Sequence, residues 1–184
     1  MENKYSITFI PDAIVIDKVK EIKLRLADNI GWFNSKNSLA HITICEFTSN
    51  EIEIIKNQIS RTAATFSPFD VKLVDFDSYP NGTFFIKPSK DSKENLKKIM
   101  KNLTATLIIK KMYKSSEPHL SIARKLDNEK LKIANDLFQK LELTFLCTSV
   151  FLREFNPNLK QFEVIDSFVF KSEKPTHAIQ GTLF

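Results

Sequence analysis

Hydrophobic residues along this chain alternate between two spacings. From Tyr5 to Ile10 they follow the period of a strand, and Pro11 stops it. Val15, Val19, Ile22, Leu26 and Ile30 then recur every three or four residues, which predicts a helix ending at Gly31. A loop is expected from Trp32 to Ser38, then a short strand from His41 to Phe47. Thr48 and Glu51 have the spacing of a capping box. They open a predicted helix with the stripe Ile52, Ile55, Ile59 and Ala63, ended near Ser67-Pro68.

The second half repeats this order. Val71 to Phe76 and Thr83 to Lys87 read as strands around the turn Tyr79-Pro80-Asn81-Gly82. A helix opens near Asp91 or Ser92, with Leu96, Ile99, Met100, Leu103 and Leu107 on one face. The polar stretch Tyr113 to Pro118 reads as a loop before a strand from His119 to Ala123. Asp127 is the expected N-cap of a helix buried through Leu131, Ala134, Phe138 and Leu141. Two longer strands close the chain, Leu143 to Arg153 and Gln161 to Phe170, turning at Asn156-Pro157-Asn158. One order of elements therefore occurs twice, which predicts an internal duplication. The expected class is α+β: two pseudo-symmetric lobes of antiparallel sheet with outer helices around a central cleft, one two-lobed domain over residues 1–184.

Both halves carry the same tetrapeptide. His41-Ile42-Thr43-Ile44 and His119-Leu120-Ser121-Ile122 each read histidine, aliphatic, hydroxyl residue, isoleucine, and they hold two of the chain's three histidines. Alternation along a strand puts each imidazole on the same face as the hydroxyl two residues on. Two imidazoles supply an acid and a base near neutral pH. Two hydroxyls donate hydrogen bonds to non-bridging phosphate oxygens. This set moves a phosphodiester bond with neither metal nor organic cofactor, the phosphorus lying between the rings.

Two such tetrapeptides about eighty residues apart resemble the two-histidine (2H) phosphoesterase superfamily, most nearly its bacterial 2′-5′ RNA ligase-like branch. Pro118-His119-Leu120-Ser121-Ile122-Ala123-Arg124 resembles that branch beyond the tetrapeptide, as does Phe151-Leu152-Arg153 followed by a turn, Phe162 and a last apolar strand. The resemblance implies a metal-independent phosphodiesterase acting on 2′,3′-cyclic phosphate or 2′-5′ bonds of RNA or nucleotides. His41 and His119 are then catalytic, and Thr43 and Ser121 bind the substrate phosphate. Asn37-Ser38-Leu39-Ala40 stands where a basic residue is usual, and Cys45-Glu46-Phe47 lacks a following glycine; both bear on substrate choice.

Further substrate contacts are sought among arginines and aromatics. Arginine grips phosphate with two donors, which nominates Arg153 at a strand end and Arg124. Arg124 lies five residues past His119, so strict alternation turns it away or leaves it at the strand end. Tyr113, Phe47, Phe84 and Phe151 are candidates to stack on a base, although sixteen phenylalanines must mostly be core. Alternation places Cys45 with His41 and Thr43 on the cleft floor, with no activating partner. Lys93, Lys97, Lys98 and Lys101 read as the wet face of a helix, or alternatively as a surface that tracks RNA. His177 sits in a polar tail outside both tetrapeptides.

Composition narrows the alternatives. The net charge of +5 suits a polyanionic partner or simply a lysine-rich surface. Three isolated glycines, Gly31, Gly82 and Gly181, exclude a P-loop and a dinucleotide fingerprint. The absence of Cys-x-x-Cys and His-Glu-x-x-His argues against zinc. Cys45 and Cys147 lie in apolar stretches and read as reduced core residues. The N-terminus shows no signal-peptide core and no apolar run approaches ~20 residues, so a cytoplasmic protein off the membrane is expected, for which a monomer suffices. The runner-up function is an RNA- or nucleotide-binding module with the same cleft and little turnover; a third reading makes the repeated strands mere scaffold.

Overall fold

A computed structural model describes residues 2–174; the tail with His177 lies outside them. The described residues form nine strands and four helices. In chain order these are β1 (Asn3–Phe9), α1 (Ala13–Ile30), β2 (Ile42–Ser49), α2 (Ile52–Ala64), β3 (Phe69–Tyr79) and β4 (Thr83–Pro88). Next come α3 (Lys90–Thr106), β5 (Met112–Lys114), β6 (Leu120–Ala123), α4 (Asn128–Leu137), β7 (Glu142–Cys147), β8 (Ser149–Asn156) and β9 (Gln161–Val169).

All strands join one antiparallel sheet in the order β7-β3-β4-β6-β2-β1-β8-β9, with β5 on the free part of β2. The order is symmetric about the β6–β2 seam, where Ile42 pairs with Leu120. The two lobes expected from the sequence are therefore the two halves of one sheet, and the two histidine strands are neighbours at its centre. Only Thr148 separates β7, at one end of the sheet, from β8, near the other. The sheet must curl for its ends to come so close. The helices cover one face: α1 packs on α4, β6 and β7, while α2 and α3 pack together and reach β9, β2 and β3.

Local chemistry explains the helix ends. Asp12 accepts a hydrogen bond from Val15 N–H at 3.0 Å, and Asp127 accepts from Lys130 N–H at 2.8 Å. Gly31, at φ 75°, closes α1 through its N–H to the Ala27 carbonyl. The α1 stripe is Val15, Val19, Ile22, Lys23, Leu26 and Ile30, all buried.

Five details differ from the sequence reading, the first being that α4 ends at Leu137, so Phe138 and Leu141 of its expected stripe lie beyond the helix. The Thr48–Glu51 capping box does not form, because β2 runs on to Ser49 and keeps Thr48 in the ladder opposite Lys4. The Thr48 hydroxyl instead donates to Glu2, and Ser49 Oγ accepts from Glu51 N–H. Ser89, not Asp91 or Ser92, caps α3. The polar stretch after Ile109 contains β5, stabilised by pairing with β2. The expected strand Leu143 to Arg153 is two strands, since the chain passes from β3's edge to β1's at Thr148.

Candidate functional site

Each tetrapeptide carries a β-bulge at its last residue. Ile7 pairs with Cys45 and Thr8 with Thr43, so Ile44 is an extra residue on β2. Phe84 pairs with Ala123 and Phe85 with Ser121, so Ile122 is an extra residue on β6. A bulge shifts alternation by one. The burial pattern shows it twice over: half-buried histidine, buried aliphatic, half-buried hydroxyl residue, then two buried residues in succession. His41, Thr43, His119 and Ser121 thus share the face away from the helices. The one pair that joins β2 to β6, Ile42–Leu120, lies between His41 and Thr43 on one side and between His119 and Ser121 on the other.

The bulges set the facing of the residues beyond each hydroxyl. Cys45, placed on the cleft floor by strict alternation, turns into the core with Ile7 and is fully buried. Glu46 takes its place on the histidine face. Phe47, a candidate base contact, is carried to the core face, where it stacks on Tyr5 with centroids 5.6 Å apart. Phe84 is likewise core, stacked on Phe76. Arg124, expected to turn away, comes onto the histidine face, exposed, and its charge acts on both imidazoles. Tyr113 pairs with Glu46 and so shares this face, 70% exposed. Phe151 pairs with Thr8 on the same face.

The two rings are held alike. His41 Nδ1–H donates to the Leu39 carbonyl at 2.6 Å, and His119 Nδ1–H donates to the Glu117 carbonyl at 2.8 Å. A carbonyl only accepts, so both neutral rings carry their proton on Nδ1 and present the Nε2 lone pair. Burial first, then the Arg153 guanidinium, push His41 down to about 3 against its Leu39 bond, with Lys23 and Arg124 adding to the push. Burial also lowers His119, opposed by the Glu117 carbonyl bond, lowered further by Arg124 and raised by the Glu117 carboxylate. That carboxylate is gripped by Lys93 and Lys97, both at 2.5 Å. His119 also packs against Phe85, 4.9 Å between centroids, and the edge of Tyr79 at 5.5 Å.

On the first lobe a row of paired residues crosses the face: Tyr113, Glu46, Ser6, Arg153. Arg153 is 3% exposed, donates from Nη2 to Ser6 Oγ at 3.1 Å and lies over Phe162. Its Nε and the buried Thr8 Oγ1 have no partner among the described residues. These two unpartnered polar atoms, one of them on the residue paired with Thr43, leave hydrogen-bonding capacity for a ligand.

Under His41 lies Lys23, a lysine in the buried stripe of α1, 2% exposed. Its Nζ donates to the carbonyls of Ser35 and Ser38 and to Ser38 Oγ, at 2.8 to 3.0 Å. Ser35 Oγ donates to the carbonyl of Ile122, the bulge residue of the other tetrapeptide. The loop before His41 is thereby tied to both lobes. Sequence reasoning did not single out Lys23, Thr8, Tyr79 or Phe85. Lys23 had a visible signal, a charge at a core position of the α1 stripe; the others depend on register.

The sequence profile of the 2′-5′ RNA ligase superfamily matches residues 11–158. The chain belongs to the 2′-5′ RNA ligase superfamily. The superfamily fold recurs in solved structures. TT0787 of Thermus thermophilus is 17% identical with a TM-score of 0.68, over 93% of this chain and 100% of that one. E. coli LigT with NADP+ is 10% identical with a TM-score of 0.65, over 93% and 99%. Kluyveromyces marxianus Usb1 is 12% identical with a TM-score of 0.53, over 91% and 98%. No curated protein matches significantly by sequence. The 2H phosphoesterase resemblance noted in the sequence agrees with this membership and fold. No helix of the described residues is long and apolar enough to cross a membrane.

Proposed function

We propose that this superfamily member, a phosphoesterase-type enzyme, makes or breaks a 2′-linked phosphodiester: a 2′,3′-cyclic phosphate end or a 2′-5′ bond of RNA or a nucleotide. The observation that carries the reading is the matched pair of rings, each held through Nδ1 by the carbonyl two residues upstream and presenting Nε2 on one face of adjacent strands. E. coli LigT has been solved with NADP+, 3′-AMP, ATP and phosphate, which supports a nucleotide phosphate as ligand.

For a cyclic phosphate the step balances in atoms and protons. A water oxygen attacks phosphorus and gives its proton to the Nε2 of one imidazole. The bond from phosphorus to one ribose oxygen breaks, and that oxygen takes a proton from the Nε2 of the other, leaving a phosphomonoester. Each transfer is worth about 10²–10⁴-fold in rate. His41, kept neutral by burial and Arg153, suits the base; His119, beside the Glu117 carboxylate, suits the acid, taking its proton as the anionic substrate binds. Thr43 and Ser121 donate to the non-bridging oxygens. Arg153 Nε, Thr8 Oγ1 and Arg124 supply further donors for the phosphate.

The runner-up, a nucleotide-binding module without turnover, has one observation in its favour: both imidazoles are pushed below their ordinary pKa in the free protein. Purified protein incubated in EDTA with cyclic-phosphate and 2′-5′ substrates separates the readings. Turnover that falls at least ~100-fold in His41→Ala and in His119→Ala is expected. A strict metal requirement, or full activity in the double variant, ends the proposal, and histidine-dependent binding without product establishes the module.

A further inference from the structure

The positive charge of this chain is concentrated in one segment. Residues 90–114, α3 through β5, contain eight lysines against Asp91 and Glu94, a balance of +6. The whole chain is +5, so everything else sums to −1. Between α3 and β5 lies a groove with a volume of about 480 Å³, lined by Lys97, Lys101, Lys114, Thr104, Ser115 and Ser116 together with the apolar Met100 and Ala105. No carboxylate lines it. Lys97 is shared with Glu117, whereas Lys101 and Lys114 make no ion pair among the described residues.

The groove adjoins the candidate site across β5. Ser115 N–H donates to the Ile44 carbonyl, at the bulge of the first tetrapeptide. Ser115 Oγ donates to the Glu117 carbonyl at 3.4 Å, the same oxygen that holds His119 Nδ1. Strand β5 forms the rim between the two. Tyr113 stands on the histidine side, 70% exposed, and Lys114, one residue on, lies on the groove side. An exposed ring followed by a lysine-lined groove with hydroxyls is the arrangement that binds a single strand, by stacking at one base and by charge along the backbone.

We propose that the groove between α3 and β5 seats the sugar–phosphate backbone of a single-stranded RNA whose terminal phosphodiester lies between His41 and His119. The inference rests on the phosphodiester reading above and narrows its substrate to an oligonucleotide end. The chain leaves the site over Tyr113, crosses the rim and descends past Lys114 and Lys101.

The test uses the full protein and the variant Lys101→Gln/Lys114→Gln. Both lysines are exposed, so the change leaves the fold intact. Two substrates are compared, a 2′,3′-cyclic mononucleotide and an oligoribonucleotide of about eight residues ending in the same cyclic phosphate. The variant is expected to lose about tenfold in kcat/KM on the oligonucleotide and nothing on the mononucleotide. Fluorescence anisotropy with an unreactive oligoribonucleotide ending in a 3′-hydroxyl reads the groove independently of turnover. The slope of log affinity against log salt is expected to shrink by roughly 1.4 in the variant, about 0.7 for each lysine. Unchanged RNA affinity and slope overturn the proposal, as does a parallel loss on both substrates. Vesicles containing phosphatidylserine that bind wild type and not the variant, with RNA binding unaltered, assign the groove to a membrane and also overturn it. A protein that turns over neither substrate yet shows the expected anisotropy change refutes the catalytic reading and leaves the groove standing.

Discussion

Replacing Lys23 by methionine tests how the loop before His41 is held. The ammonium group sits in the core face of α1 with three oxygen acceptors and no carboxylate beside it. Burial, helped by Arg124, lowers its pKa from 10.5 to about 8. A shift of that size corresponds to about 3 kcal/mol against the charged form. At neutral pH that term opposes the three charge-assisted hydrogen bonds, each worth about 1.5–3 kcal/mol. The net difference between wild type and Lys23→Met at pH 7 mixes these opposing terms with the packing of the new side chain, so its pH dependence is the informative quantity. Between pH 8 and 10.5 the unfolded chain keeps the Lys23 proton and the folded one releases it, so wild-type stability gains relative to the variant as pH rises. The expected gain across this window is about 3 kcal/mol. Urea unfolding of both proteins from pH 7 to 10.5 measures it, and the subtraction removes lysines common to both. A difference that stays flat, or declines with rising pH, would show that Lys23 is not buried as a charged group and refute the reasoning.

Arg153→Met removes the strongest charge acting on His41, so the His41 pKa should rise from about 3; imidazole NMR titration reads it, and an unmoved or lower value counts against the placement of Arg153. Gly82→Ala puts a Cβ 2.1 Å from the Leu126 carbonyl oxygen at φ 80°; a loss of roughly 2–4 kcal/mol is expected, and an unchanged melting temperature would contradict it. Cys45 and Cys147, both pushed up to about 12 by burial, should react with a thiol reagent only on unfolding, so prompt labelling of the native protein would be the contrary result.

Sequence chemistry that acts within one segment was legible. Asp12 and Asp127 cap their helices because an N-cap needs only the next turn. The histidine and hydroxyl of each tetrapeptide share a face because they precede the bulge. Positions beyond the bulges were misread, since a bulge is a mismatch between two partners and leaves no mark on either strand alone. That single cause sent Cys45 and Phe47 to the wrong face and Arg124 away from the site. The break at Thr148 was invisible for the same reason: alternation continues through it, and only the change of partner divides β7 from β8. Strand β5, three residues long, exists because β2 offers it an open edge.

The lobes are joined at the Ile42–Leu120 pair in the middle of the sheet, at Thr148 between its curled ends, and by α1 packed on α4, β6 and β7, α2 on α3, and Ser35 Oγ on the Ile122 carbonyl. Ties spread along the whole seam hold the halves as one unit and deny the wide clamshell opening of enzymes jointed at a single point.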